Sequence, residues 1–219
     1  MLILKLLSIL KYNPLLFFVA VFFILFPLII SITIHEWAHG FVAYKLGDNT
    51  PKLSGRLTLN PLAHIDLIGT IMLFVVGIGW AKPVPINTAN LKNKYNVALV
   101  GVAGPLSNVI LAVLFSIIGV ICFKFKNNNI FYFITLISIY LTQINFLLAL
   151  FNLMPIPPLD GSRIISAILP EKLQNLYSKI ERYGFIIIIA IAFNGGFSVI
   201  LTFSRFLQNL LYLFLNKII

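Results

Sequence analysis

The sequence predicts an all-α polytopic membrane protein, a bundle of about five or six transmembrane or re-entrant helices with one short β-strand or loop segment. Three observations carry that expectation. Hydrophobic residues make up 60% of the chain and charged ones 10%, and no water-soluble domain has that balance. Apolar runs exceed the roughly 20 residues needed to span a bilayer at 14–46, 96–123 and 130–153. Short polar stretches rich in Pro, Gly, Asn or Lys separate these runs, and no long polar tract or repeat accompanies them. Residues 1–219 therefore read as a single membrane-embedded domain with its core at about 14–170.

The net charge of +10 comes from lysines and arginines scattered between the apolar runs. That distribution suits anionic lipid headgroups, so lipids rather than nucleic acid are the expected charged partner. Cys122 is the one cysteine, which excludes an intrachain disulfide and a Cys-based metal site.

Residues 1–12, with Lys5 and Lys11, read as an interfacial lead-in. Asn13-Pro14 is a helix start, with Asn as cap and Pro at the first helical position. The run then continues to Leu46, where Gly47-Asp48-Asn49 ends it. It is either one tilted helix or one divided at Pro27. No signal-peptide cleavage pattern is visible in it. Leu53, Gly55, Leu57 and Leu59 alternate with polar residues, the period of a strand. The apolar stretch 67–80 is short for a span, so it is either re-entrant, strongly tilted or a crossing. Residues 81–95, with Pro83 and Pro85, form an interfacial loop in which Trp80 and Lys82 read as anchors.

The 96–123 helix carries Gly101, Gly104, Ser107, Asn108 and Ala112, small enough for a neighbour to approach closely. After the polar turn 124–129, the 130–153 helix stops at Met154-Pro155-Ile156-Pro157-Pro158, which cannot be helical. Asp160 stands at that break. A polar, amphipathic connection follows, then an apolar run at 183–215 interrupted by Asn194-Gly195-Gly196 as either a broken helix or a hairpin. Gln143, Asn145 and Trp37 read as packing and helix contacts.

The chemistry concentrates at His35-Glu36-Trp37-Ala38-His39. On a helix, residues four apart lie only about 40° apart around the axis, so both imidazoles can reach one ion. Glu36 points about 100° away, toward water on the metal rather than the metal itself. The chain has 3 His and 6 acidic residues, and this motif takes two and one of them inside an apolar run. Ionisable groups there are costly and mark function. Two His are one protein ligand short of a catalytic zinc set. Asp160 is the best-placed third ligand; His64 competes, and Asp66 is the weaker candidate.

His35-Glu36-Trp37-Ala38-His39-Gly40 together with the Asn152–Gly161 stretch resembles the site-2 protease family of intramembrane zinc metalloproteases. The blocks Asn60–Asp66, Gly79–Pro85 and Gly104–Asn108 extend the resemblance over 31–163, to a compact subgroup lacking PDZ or CBS domains. The resemblance implies one zinc per chain on His35, His39 and Asp160, Glu36 as catalytic base, and an active-site Asn at Asn152. It also implies transmembrane protein substrates, cut by regulated intramembrane proteolysis near the cytoplasmic face of a membrane, here the plasma membrane of a prokaryote. His64 and Asn108 are further candidates for holding the oxyanion or backing the metal ligands. Leu53, Gly55 and Leu57 are assigned to substrate binding by strand addition. The alternative is a catalytically silent zinc protein that binds membrane helices. Retention of Glu36 argues against it, because a structural zinc site has no use for a base.

Overall fold

The computed structural model describes residues 2–75 and 79–218, and among them there are helices, turns and loops but no strand. In order the helices are α1 (Leu2–Tyr12), α2 (Pro14–Lys45), α3 (Thr50–Leu53), α4 (Leu67–Val75), α5 (Lys94–Phe123), α6 (Asn129–Asn152), α7 (Asp160–Ile168), α8 (Glu171–Phe193) and α9 (Gly196–Ile218). Four of them, α2, α5, α6 and α9, are long and apolar enough to cross a membrane. The polytopic, all-α expectation holds.

The capping chemistry of α2 is local. Asn13 accepts from Leu16 N at 3.0 Å, and Pro14 sits where a missing N–H costs nothing. Pro27 does not divide the run, so α2 is one helix of 32 residues. At 1.5 Å per residue that is about 48 Å, longer than the roughly 30 Å hydrocarbon layer. The His35–His39 turn lies in its last third.

Helix α5 packs against both α2 and α6, presenting buried Ala103, Gly104, Ala112, Ser116 and Gly119. Small residues let helix backbones approach closely where apolar burial drives nothing. A Cβ at Gly119 would stand 3.2 Å from Ser138 Cβ. Polar contacts lock α9 to α6: Gln208 Nε2 donates to Ile139 O at 3.0 Å, and Gln143 Nε2 to Ser204 Oγ at 2.7 Å. Gly195, at φ +80°, turns the chain from α8 into α9, so the 183–215 run is two helices broken at Asn194-Gly195.

The alternation at Leu53–Leu59 does not make a strand. Leu53 ends α3, and Gly55 takes φ +68° in the turn after it. The physical reason is local hydrogen bonding. The backbone N–H groups of Leu53, Ser54, Gly55, Arg56 and Leu57 all donate to carbonyls between Asn49 and Lys52. None of these five is left for strand addition, so the segment with Leu53, Gly55 and Leu57 has neither the strand nor the free donors that route needs.

The 67–80 stretch also resolves, apart from 76–78, which lie outside the described residues. Asp66 caps α4 by accepting from Gly69 N at 2.7 Å. Nine residues rise only about 14 Å. The chain then returns beside its own start. Lys82 N donates to His64 O at 2.9 Å, and Gly69 lies so close to Trp80 that a Cβ would collide with the Trp80 carbonyl. The described ends of the segment thus lie side by side, the arrangement a re-entrant segment requires.

Candidate metal centre

Three elements bring the site together. Helix α2 carries His35 and His39 on one face. The proline-broken stretch after α6 ends with Asp160 as the first residue of α7. Gly161 lets that turn fold back, since a Cβ there would collide with the Leu153 and Met154 carbonyls. Helix α5 closes the third side. A Cβ at Gly104 would stand 2.6 Å from His35 Nε2 and nearer still to His39 Nε2, so glycine opens the space between helix and imidazoles.

His35 Nε2, His39 Nε2 and Asp160 Oδ2 form a triangle with all three sides at 3.1 Å. All three side chains are buried. The positions of their protons follow from their other contacts. His39 Nδ1 lies 2.6 Å from Val100 O, an acceptor only, so Nδ1 carries the hydrogen. His35 Nδ1 donates to Asn108 Oδ1 at 2.7 Å. With a hydrogen on each Nδ1, the neutral form of both rings turns an Nε2 lone pair toward the carboxylate oxygen. Three such acceptors in contact repel one another unless a cation lies among them. They form a group able to hold a metal ion.

Glu36 is offset from the triangle, and its Oε2 accepts from Val84 N at 2.9 Å. Val84 stands between Pro83 and Pro85, neither of which has an N–H, so its amide is the one donor of that triplet. The loop bearing it is fastened twice more, by Lys82 N to His64 O and by Arg56 Nη2 to Lys82 O at 2.6 Å. A cavity of about 540 Å³ opens over the triangle, lined by Glu36, Val84, Phe151, Asn152 and Arg163 among others. The Asn152 side chain reaches it while Nδ2 donates to Leu148 O at 3.0 Å.

The other candidates separate here. Asn108 is fully buried directly behind His35. His64 is not in the triangle. Its Nε2 lies 2.8 Å from Thr58 O, and it lines a neighbouring cavity of about 330 Å³. Asp66 is the cap of α4. Sequence reading missed Val84, Arg56 and Asp48 as structural ties. Asp48 is fully buried and accepts from Thr50 N, Thr50 Oγ1, Asn87 N and Asn90 Nδ2. Its only signal was an acid at a helix end.

The model of Peptidase family M50 matches residues 119–194, which include Asp160. YwhC of Bacillus subtilis is 42% identical over 174 residues, 77% of this chain and 79% of the relative. MJ0392 of Methanocaldococcus jannaschii is 30% identical over 86% of this chain and 43% of its own length. Rip2 of Mycolicibacterium smegmatis is 27% identical over 74% and 63%. MJ0392 is named a zinc metalloprotease, and YwhC and Rip2 are each named a "putative zinc metalloprotease". No solved structure matches the chain. Likeness of that degree across most of both chains, on a polytopic helical frame, makes this protein a membrane metalloprotease that belongs to Peptidase family M50.

Proposed function

We propose that the chain is an intramembrane protease of the site-2 type, using one zinc on His35, His39 and Asp160 to cut other membrane proteins in or near their transmembrane segments. The convergence of two imidazole nitrogens and a carboxylate oxygen on one buried point carries the reading. Two neutral imidazoles and a carboxylate are a frequent catalytic zinc set. Ligands about 2.0–2.1 Å from a tetrahedral ion stand about 3.3 Å apart, close to the 3.1 Å found here. Zinc bound there supplies a Lewis acid and brings the pKa of water toward about 7.

The chain's own groups divide the remaining work. Val84 N–H occupies one oxygen of Glu36 and fixes the carboxylate plane, leaving the other oxygen to take a proton from water and return it to the leaving amine. Asn152, on the cavity wall, is placed to donate to the oxyanion. Asn108 holds His35 from behind. A membrane-helix substrate must unwind at the scissile bond, because its own hydrogen bonds shield the carbonyl. By the positive-inside rule, Lys45, Lys52 and Arg56 after α2 and Arg163, Lys172, Lys179 and Arg182 after Asp160 put the site near the cytoplasmic face.

The test is purified protein in liposomes with a single-span substrate. Wild type should cut within the span, and Glu36→Gln should keep zinc and lose cleavage. Zinc binding without cleavage of any helical substrate would instead make this a silent helix binder.

A further inference from the structure

Behind His35 a chain of buried polar side chains runs across three helices, and its direction can be read from atoms that cannot change roles. Ser31, Asn108 and Asn145 are all fully buried. Asn145 lies 2.8 Å from Leu141 O, which only accepts, so the atom facing it is the Asn145 NH2. The same NH2 gives its other hydrogen to Ser31 Oγ at 2.9 Å, and Ser31 gives its own hydrogen to Pro27 O at 2.7 Å. Asn145 Oδ1 is thereby turned toward Asn108, 3.1 Å away. Asn108 must present its NH2 to that oxygen and its Oδ1 to His35. An acceptor 2.7 Å from His35 Nδ1 places the imidazole hydrogen there and leaves Nε2 bare. A reversed Asn108 amide would move that hydrogen to Nε2, into the metal site.

We infer that Asn145 is a positioning residue for the metal centre. Two residues removed from the ion, it sets the Asn108 amide, and Asn108 sets the tautomer of His35. The assignment rests on His35 being a zinc ligand. Ser31 is subordinate, because Leu141 O alone still orients the Asn145 amide.

Zinc affinity, measured by chelator competition in detergent on wild type, Asn145→Ala, Asn108→Asp and the double variant, tests it. Outer groups that orient ligands are worth about 10–100-fold in metal affinity, so Asn145→Ala should weaken zinc about tenfold or more. Aspartate at 108 offers an acceptor whichever way it turns. On that background, Asn145→Ala should cost nothing. The same loss on both backgrounds would make Asn145 a packing residue only, and no loss on wild type would overturn the inference as well. If Asn145→Ala does not fold, Asn145→Ser carries the test, since a hydroxyl has no fixed direction. Wild-type zinc affinity in His35→Ala would be a different failure, that of the zinc-ligand reading itself.

Discussion

Asp48 and Asp160 are both buried carboxylates at helix boundaries, Asp48 just past the end of α2 and Asp160 at the start of α7, yet their surroundings are opposite. Asp48 is met by four donors, two from Thr50 and one each from Asn87 and Asn90. Burial alone would raise its pKa, but the hydrogen bonds from Thr50, Asn90 and Asn87 outweigh it and hold the carboxyl below the usual range. Asp160 is met by two imidazole nitrogens whose hydrogens point elsewhere, and the Arg163 guanidinium stands off at 3.9 Å. A buried acid surrounded by N–H and O–H groups is complete within the protein. One surrounded by imidazole nitrogens that can offer lone pairs is suited to share a cation with them.

The largest effect that could break the contrast is on cleavage. Asp160→Ala should abolish it, and Glu36→Gln should lower it by about 10²–10⁴-fold, the usual worth of a general base. Asp48→Ala should keep the wild-type rate per folded molecule in the liposome assay. A comparable collapse in the folded Asp48 variant would erase the distinction.

Filling the metal space should come next. Gly104→Ala puts a methyl against both Nε2 atoms and should cost most of the zinc, read by metal analysis. Gly119→Ala on the same helix, with 3.2 Å to Ser138 Cβ, should leave zinc unchanged.

Stability reverses the ranking. Asp48→Ala removes the shared acceptor of Thr50, Asn87 N and the Asn90 amide, whose exposed or half-buried donors water can partly satisfy, for a cost of about 1–2 kcal/mol in a thermal or denaturant unfolding assay. The smallest effect is on pH dependence. Asp48 has a folded pKa below its unfolded value of about 3.9. Its contribution is therefore fully present above that value and is lost as pH falls through the lower, folded one. Asp48→Asn should flatten that acid limb of the unfolding curve. An unchanged limb would mean that another group carries it.

Much of the site was legible in the chain. The four-residue spacing of His35 and His39 forces their coincidence on a helix face, and three prolines before Asp160 force the unwinding that delivers it. What was not legible depends on contacts between distant segments. Asn145 looks like any helix-packing amide until Leu141 O and Ser31 fix its direction. The return of Trp80 beside Gly69 cannot be read from an apolar run of ambiguous length. The Leu53–Leu59 alternation misled for a related reason. Period two describes side chains, whereas the backbone there closes on Asn49–Lys52 through Pro51 and Gly55.

Metal content compares the two acids most directly. Zinc per folded chain should be about one in wild type and in Asp48→Ala, and below about a tenth in Asp160→Ala, as a three-ligand site requires. Zinc kept in Asp160→Ala, or lost from folded Asp48→Ala, would contradict the assignment of the ion to His35, His39 and Asp160.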